Sequence, residues 1–376
     1  MAHVFLSAGD ISGDQHAARL VRRMASLAPG VTFEGLGGPE LADAGVPLHE
    51  DLVSRAIMGI GPAAREVPHL LGLLRRMAGV FDRRRPDLVL LVDYPGLNLF
   101  IARLAHRRGI PVVYFVAPQL WAWAPWRVRR FARVVDEALV IFPFEVPFFR
   151  DAGMDATYIG HPLLDALPSD PPRPADIIDR PRPVALLPGS RRREVRLHMP
   201  LLLDAAEALA SEYPDASFHC AHVSADRRHE IEALAAKRNI DFVMHGDRVH
   251  DVMAACRCAV VSSGTATLET AMLGTPMVVL YRVTAFENSM RNVLLVPPFV
   301  GQVNLVAGRQ IADELLLPHD DPAPLIAALR PLLEDTPTFL KQQQELVSLI
   351  ADTAGPGAVD RAAQILAERL AENLAD

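Results

Sequence analysis

The sequence has few cysteines, and none in a pattern that binds a metal. Its three cysteines, Cys220, Cys256 and Cys258, are odd in number and lack CxxC spacing. This excludes a disulfide framework and predicts buried thiols in a reducing compartment. His219 and His222 flank Cys220, but along a strand they point to opposite faces, so they form no ligand set. We therefore expect no metal and no other cofactor.

Long apolar runs are also absent. No run approaches the ~20 residues that span a bilayer. The first residues, MAHVFLSAGD, lack a basic region and are typical of a strand, not of a signal peptide. We therefore expect a cytoplasmic protein without a spanning helix.

Lysine is scarce, and the arginines are unevenly distributed. Arg outnumbers Lys 36 to 2 in a chain of net charge −7, yet the stretch from Arg65 to Arg133 carries +9. Such a cationic region indicates an anionic partner, namely a phosphorylated substrate, phospholipid headgroups or nucleic acid. The alternative is a compositional bias that only solubilises helices. All three tryptophans lie between Trp121 and Trp126, but without RNA-fold motifs they favour a lipid or domain interface, and we expect no nucleic acid partner.

The two halves of the chain begin alike. At 376 residues, with 50% hydrophobic and 22% charged residues, two domains are expected. An apolar strand runs into a glycine turn and a helix at residues 3–14, and again at residues 183–195. This predicts an α/β protein with two Rossmann-like, doubly wound domains, at 1–165 and 183–352, and with the site in the cleft between them. A proline-rich linker occupies 166–182, and a helix in 353–376 returns to the first domain or to a partner subunit in a homodimer.

In the first half, Asp93 follows the apolar run from Asp87 to Val92. Ligands bind at the carboxyl ends of strands in open α/β sheets, and a carboxylate there can take a proton from a hydroxyl. The alternative is that Asp93 caps the next helix. The turn SAGDISGD is not GxGxxG, and its aspartates would repel a pyrophosphate. It predicts instead a loop that faces the cleft, with Ser12, Gly13 and Asp14.

In the second half, two glycine turns open helices and predict an anion site. Gly189 and Ser190 expose helix N-terminal amides, and Arg191 adds a guanidinium suited to phosphate. The alternative is an ordinary strand-to-helix turn with surface arginines. The second turn offers amides and hydroxyls to phosphate, while a carboxylate one helical turn later suits a ribose diol. Its residues are Ser263, Gly264, Thr265, Ala266 and Glu269.

An amphipathic basic helix is predicted over Val67–Phe81, with apolar residues at i, i+3, i+4 and i+7. Either this stripe packs into the domain core, or it lies on a membrane surface. On the membrane hypothesis the contacting residues are Val67, Leu70, Leu71, Leu73 and Leu74.

Nine ordered motifs across nearly the whole chain resemble the lipid-A-disaccharide synthase family, glycosyltransferases of the GT-B type. They are SAGDISGD, IMGI, LVDYPGLN, PQLWAW, FPFE, IGHP, LLPGSR, SSGTATLE and NLVAGR. The resemblance implies transfer from UDP-2,3-diacylglucosamine to 2,3-diacylglucosamine 1-phosphate, which forms a β-1,6 linkage and releases UDP. These substrates place the protein at the inner face of an anionic membrane.

The resemblance also implies roles for individual residues. Asp93 becomes the base, Arg191 contacts the diphosphate, and the SSGTATLE and NLVAGR residues, Asn304 included, surround the UDP-sugar. Asn98, the last residue of LVDYPGLN, joins the acceptor side. The chain departs from the family at Asp10, where Glu is usual, and at Gly96, where a second acidic residue is common.

Two other functions fit the same residues. A UDP-sugar 2-epimerase needs the donor pocket but no surface for acyl chains, and it would convert UDP-sugar without an acceptor. A non-catalytic protein that binds nucleotide sugars or membranes would not need Asp93.

Overall fold

The computed structural model describes residues 2–57, 67–123, 125–165, 167, 179, 181–189, 192–221, 225–246, 248–282, 299–352 and 355–375. Ser190 and Arg191, most of the predicted linker and most of IMGI lie outside these residues. The chain divides into two compact units. Unit 1 contains Met1–Asp165 and Ala354–Asp376, and unit 2 contains Ala166–Thr353. Both are built on parallel sheets, so the predicted α/β class is confirmed.

Unit 1 holds a seven-stranded parallel sheet in the order β3-β2-β1-β4-β5-β6-β7. The strands are β1 (His3–Ala8), β2 (Thr32–Gly37), β3 (Leu48–Asp51), β4 (Leu88–Val92), β5 (Val112–Phe115), β6 (Glu137–Val140) and β7 (Asp155–Tyr158). The strand order reverses between β1 and β4, which pair with Ala8 opposite Val92. The turns after these two strands therefore lie side by side at the topological switch point, where such sheets bind ligands.

Two apolar layers cover this sheet. The helices in residues 1–165 are α1 (Ile11–Leu27), α2 (Pro39–Asp43), α3 (Leu52–Ile57), α4 (Val67–Arg84), α5 (Pro95–His106), α6 (Leu120–Trp123), α7 (Val128–Phe131) and α8 (Glu145–Arg150). One core combines residues of α4 and α5 with Phe5, Val89 and Leu91 of the strands. The opposite core combines α1 with the last helix, α16 (Ala358–Ala375).

The last helix packs on α1 of its own chain. Asp165, where the chain leaves unit 1, accepts hydrogen bonds from the amides of Ala358 at 3.2 Å and Val359 at 2.8 Å, and so caps α16. Farther along, Arg369 Nη1 lies 2.6 Å from Glu137 Oε2. Of the two predicted destinations, the structure shows the first domain.

Unit 2 holds a six-stranded parallel sheet in the order β10-β9-β8-β11-β12-β13. The strands are β8 (Arg182–Leu187), β9 (Ala216–Cys220), β10 (Phe242–Met244), β11 (Cys258–Ser262), β12 (Met277–Arg282) and β13 (Asp313–Leu317). The helices are α9 (Arg192–Glu212), α10 (Ala225–Ala235), α11 (Val249–Ala255), α12 (Thr265–Met272), α13 (Gln302–Ala307), α14 (Ala323–Leu329) and α15 (Pro337–Asp352). The three cysteines are buried free thiols, as predicted.

The structure corrects the membrane hypothesis for α4. Leu73 is 1% exposed and belongs to the sheet core, and Leu70 and Leu74 are partly buried against that core. Leu71 is 49% exposed, whereas the side chain of Val67 lies outside the description. The prediction that Leu73 contacts lipid is therefore wrong, because the apolar strand residues beneath α4 need this stripe to exclude water. Among the described helices, none is both long and apolar enough to cross a bilayer.

Candidate functional site

Asp93 directly follows β4 at the carboxyl edge of unit 1. Its φ is 40°, and that of Tyr94 is 49°, so two consecutive non-glycine residues are left-handed. Such conformations cost about 1–3 kcal/mol each and cluster at functional sites. The alternative role of Asp93 as a helix cap is wrong, because Tyr94 occupies the N-cap position of α5 and no side chain caps this helix.

Two side chains hold the main-chain carbonyl of Asp93. Asn98 Nδ2 donates to it at 2.7 Å, and the Tyr114 hydroxyl donates at 2.5 Å. The Asn98 amide also lies 3.1 Å from the carbonyl oxygen of Val92 and 3.2 Å from that of Ser7. Asn98 is fully buried. The prediction that Asn98 contacts the acceptor is therefore corrected, since its amide ties β1 to β4.

The Asp93 carboxyl group has an abnormal proton affinity. Burial, and to a smaller extent the nearby charge of Asp10, raise its pKa to about 6, although the Tyr94 amide, 2.8 Å from Oδ1, opposes the change. The Tyr94 ring lies against Gly9, where any Cβ would overlap it. The two turns are therefore packed together. A carboxyl group with a pKa near neutrality suits a general base.

Asp10 is the neighbour that the predicted site omitted. It is the N-cap of α1, where its Oδ1 accepts the Gly13 amide at 2.8 Å. The doubly wound pattern of strands and helices could have identified Asp10, because this pattern places β1 beside β4. An aspartate two residues after β1 then lies near an aspartate one residue after β4.

Ser12, Gly13 and Asp14, predicted in a loop, lie instead in the first turn of α1, and they differ in exposure. Ser12 is exposed, whereas Gly13 is buried. Asp14 is 1% exposed, and its carboxylate accepts the amides of Gly38 at 2.8 Å and Glu40 at 2.9 Å. Burial raises the pKa of Asp14, and these amides partly oppose the rise. We correct its role to holding the turn after β2, which leaves Ser12 as the accessible member.

The tryptophan motif and the FPFE motif meet at Glu145. The Trp121 indole donates to Glu145 Oε1 at 2.8 Å, and Oε2 accepts the amides of Ile141 and Phe142 at 3.1 and 3.0 Å. Burial raises the pKa of Glu145 to about 7. Trp121 therefore serves packing within unit 1, whereas Trp126 is 69% exposed.

Unit 2 contains a cavity of about 500 Å³ at the carboxyl edge of its sheet. Six of the predicted UDP-sugar residues line it, namely Gly189, Ser263, Gly264, Thr265, Ala266 and Glu269. Gly189 has a φ of 107°, and a Cβ there would overlap the Glu194 side chain, so glycine is required. The Ser263 hydroxyl donates to the Val300 carbonyl at 2.8 Å. Glu269 Oε2 lies 3.5 Å from His250 Nε2.

The lining of the cavity combines apolar and polar groups. Ala221, Val249 and Met253 supply apolar surface. The start of α12 at Gly264 and Thr265 supplies helix N-terminal amides and a hydroxyl, groups that favour anions. This combination can hold a ligand with a flat apolar part and a negatively charged part.

Asn304 has a different position from the predicted one. It is fully buried, and its Oδ1 accepts the amides of Ile311 at 2.7 Å and Ala312 at 2.9 Å. Its Nδ2 donates to the Ala312 carbonyl at 2.8 Å and to Glu314 Oε1 at 2.9 Å. The hydrogen-bonding groups of the Asn304 side chain are all used within the protein. We therefore correct its predicted role from contacting the UDP-sugar to positioning β13.

His198 was missed in the sequence. It is 2% exposed, and its Nδ1 lies 2.7 Å from the Pro188 carbonyl while its Nε2 accepts the Arg282 amide at 3.3 Å. Burial lowers the pKa of His198, which favours the neutral ring that these two contacts require. The side chain thus ties the Pro188-Gly189 turn to the end of β12.

The sequence model of the family described as lipid-A-disaccharide synthetase matches residues 4–368. The chain belongs to this family. The lipid-A-disaccharide synthase of Syntrophus aciditrophicus is 38% identical over 367 residues, 96% of each chain. That of Geobacter sulfurreducens is 35% identical over 385 residues, with 99% of this chain and 98% of the relative covered.

Solved structures show the same fold at low identity. A putative UDP-N-acetylglucosamine 2-epimerase from Listeria monocytogenes has a TM-score of 0.66 at 15% identity, with 98% of this chain and 97% of that chain covered. The glycotransferase of kitacinnamycin has a TM-score of 0.65 at 17% identity, with 98% of each chain covered. Family membership confirms the resemblance found in the motifs, and with it a glycosyltransferase of lipid A biosynthesis with the GT-B architecture.

Proposed function

We propose that this protein transfers diacylglucosamine from UDP-2,3-diacylglucosamine to the 6-hydroxyl of 2,3-diacylglucosamine 1-phosphate, with inversion, to form the β-1,6-linked disaccharide. The mechanism rests on Asp93, which has a left-handed backbone at the switch point of unit 1 and a carboxyl group with a pKa of about 6. A carboxylate with this pKa is mostly ionised at neutral pH and still basic enough to take a proton.

The proposed transfer needs no reactant other than the two substrates. The acceptor 6-oxygen attacks the anomeric carbon, and its proton passes to the Asp93 carboxylate. The bond from the anomeric carbon to the diphosphate oxygen breaks, and UDP leaves with the electron pair. Base catalysis contributes roughly 10²–10⁴-fold. The remaining acceleration comes from positioning and from stabilisation of the leaving diphosphate.

The cavity of unit 2 supports the donor side of this proposal. Gly189, Gly264 and Thr265 offer backbone and hydroxyl donors for the diphosphate, while Glu269 accepts the ribose hydroxyls. Ser190 and Arg191 are assigned to the diphosphate from the family resemblance. The apolar wall of Ala221, Val249 and Met253 suits the uracil ring. No metal is needed for these contacts.

The acyl chains of both substrates support attachment to the inner face of an anionic membrane. Leu71 on α4 and Phe100 on α5 are 49% and 41% exposed, and α4 packs against α5. The Arg103 guanidinium lies 5.6 Å from the centre of the Phe100 ring. Apolar side chains beside cations are the combination that binds anionic surfaces. The docking surface proposed here is therefore narrower than the whole α4 stripe.

One assay tests the transfer. Purified protein is incubated with synthetic UDP-diacylglucosamine and diacylglucosamine 1-phosphate, and UDP and disaccharide are measured. We expect equimolar UDP and disaccharide, and no product when the acceptor is omitted. Epimerised UDP-sugar formed without acceptor would support the epimerase instead. UDP binding without any turnover would support a binding protein.

A further inference from the structure

The carbonyl oxygen of Asp93 accepts hydrogen bonds from two buried side chains, Asn98 and Tyr114. We propose that Tyr114 and Asn98 are positioning residues for the transfer, because their grip on this carbonyl keeps the Asp93 carboxylate in place beside Asp10. This inference rests on the proposed role of Asp93 as the base. Neither residue touches the substrates in this proposal.

The first support is the backbone that they hold. Asp93 and Tyr94 are both left-handed, a conformation that L-residues leave unless surrounding contacts impose it. A carbonyl oxygen has two lone pairs, and here both are used by side-chain donors. Since the carbonyl and the Cβ are attached to the same Cα, fixing the oxygen also fixes the direction in which the carboxylate leaves the main chain.

The second support is how each donor is itself fixed. Tyr114 is 1% exposed and lies on β5, paired with Leu91 of β4, so its ring cannot turn away. Asn98 is in the first turn of α5, and its Oδ1 accepts the Ser7 hydroxyl at 2.6 Å. The other side-chain atom of Asn98, Nδ2, faces three carbonyl oxygens, and only an N–H donor can occupy that position. The amide orientation is thereby determined, and β1, β4, β5 and α5 converge on one carbonyl.

Tyr114 offers the cleaner variant, because Tyr114→Phe removes one oxygen and keeps the ring. We expect kcat to fall about tenfold, the value of one lost neutral hydrogen bond. KM for UDP-diacylglucosamine should change less than about twofold, since the proposed UDP cavity lies in unit 2. Release of the carbonyl should also let the carboxylate move away from Asp10 and towards water. The acidic limb of the kcat/KM profile, which reports the free enzyme, should then move from about pH 6 to lower pH.

The experiment measures kcat and KM from pH 4.5 to 9 for five proteins, together with their melting temperatures. They are the wild type, Asp93→Asn, Tyr114→Phe, Ser7→Ala, and Tyr158→Phe as the matched control. Tyr158→Phe also removes one tyrosine hydroxyl, but from β7 at the edge of the same sheet. This variant should keep the wild-type kcat and the wild-type pH profile. Ser7→Ala frees Asn98 Oδ1 and should show a smaller fall in kcat with the same movement of the limb.

A lower kcat together with a shifted acidic limb supports the proposal. A wild-type kcat, or a lower kcat with an unmoved limb, overturns it and leaves Tyr114 as a packing residue. If Tyr114→Phe does not fold, Ser7→Ala decides by the same two criteria. An active Asp93→Asn protein would overturn the base assignment and this inference together, whereas an inactive Asp93→Asn with a normal Tyr114→Phe overturns this inference alone.

Discussion

Asp10 and Asp93 lie at the carboxyl ends of two paired strands, β1 and β4, and the charge of Asp10 raises the pKa of Asp93. Their turns are in contact through Gly9 and the Tyr94 ring. Asp10 meanwhile accepts the Gly13 amide as the cap of α1. Asp10 thus caps a helix, while burial of Asp93, together with the Asp10 charge, keeps Asp93 partly protonated near pH 6.

Asp93→Asn should reduce kcat at least about 100-fold, because an amide keeps the shape but cannot take the proton. UDP affinity measured by calorimetry should not change, since the cavity is in unit 2. Asp82→Asn is the matched control, because Asp82 is a surface residue of α4 paired with Arg108 at 2.7 Å. An Asp93→Asn enzyme that keeps more than about a tenth of wild-type kcat contradicts the base assignment.

The pH profile should follow the ionisation of Asp93. Activity requires the carboxylate, so kcat/KM should rise with pH through about 6. Asp10→Asn can still cap α1, but it removes the negative charge that raises this pKa. The acidic limb should therefore move to lower pH in Asp10→Asn. A limb that stays near pH 6 would show that Asp10 does not act on Asp93.

The same ionisation should lower stability at neutral pH. Asp93 has a pKa of about 6 in the folded protein and an ordinary value of 3.8. The folded state therefore binds the proton more tightly, and this contribution to stability is lost as the pH rises from about 4 to above 6. Asp93→Asn should raise the free energy of unfolding at pH 8 by at most about 3 kcal/mol. Urea unfolding at pH 8 and pH 4 checks this, and an equal gain at both pH values contradicts it.

Gly189→Ala should weaken UDP binding at least about tenfold. The new Cβ meets the Glu194 side chain, and the left-handed φ of 107° is unfavourable for alanine. Gly30→Ala is the matched control, because Gly30 has a φ of 109° with nothing within 4 Å of its Cβ position. Both variants carry the same backbone strain, so only the loss at Gly189 should appear in calorimetry with UDP. Equal UDP affinity in both variants would remove this turn from the proposed site.

Leu71→Ser should reduce co-sedimentation with anionic vesicles and leave the melting temperature nearly unchanged, because Leu71 is 49% exposed. Leu73→Ser, two residues away, should lower the melting temperature by several degrees, since Leu73 is 1% exposed in the core. Added salt should weaken vesicle binding by screening the arginines over a Debye length of ~8 Å. Wild-type binding by Leu71→Ser would exclude α4 from the docking surface.

Features that depend on local patterns could be predicted from the sequence. The apolar run before Asp93 and the glycine turns at Gly189 and Gly264 predicted strands that open helices, because strand length, turn chemistry and helix starts are set by neighbouring residues. The alternation of strands and helices then determined two parallel sheets. Nine motifs in one order were enough to indicate the family.

Tertiary structure alone decided which side chains are available. Asp14, Asn98 and Asn304 lie in motifs from which ligand contacts were predicted, yet all three are buried and bound to main-chain groups. Spacing cannot show this, because the partners are contributed by strands and turns distant in sequence. Similarly, the wide stripe of α4 contains both Leu71 and Leu73, and only packing on the sheet separates the exposed leucine from the buried one. Burial depends on what covers a residue, and that is settled when the elements pack together.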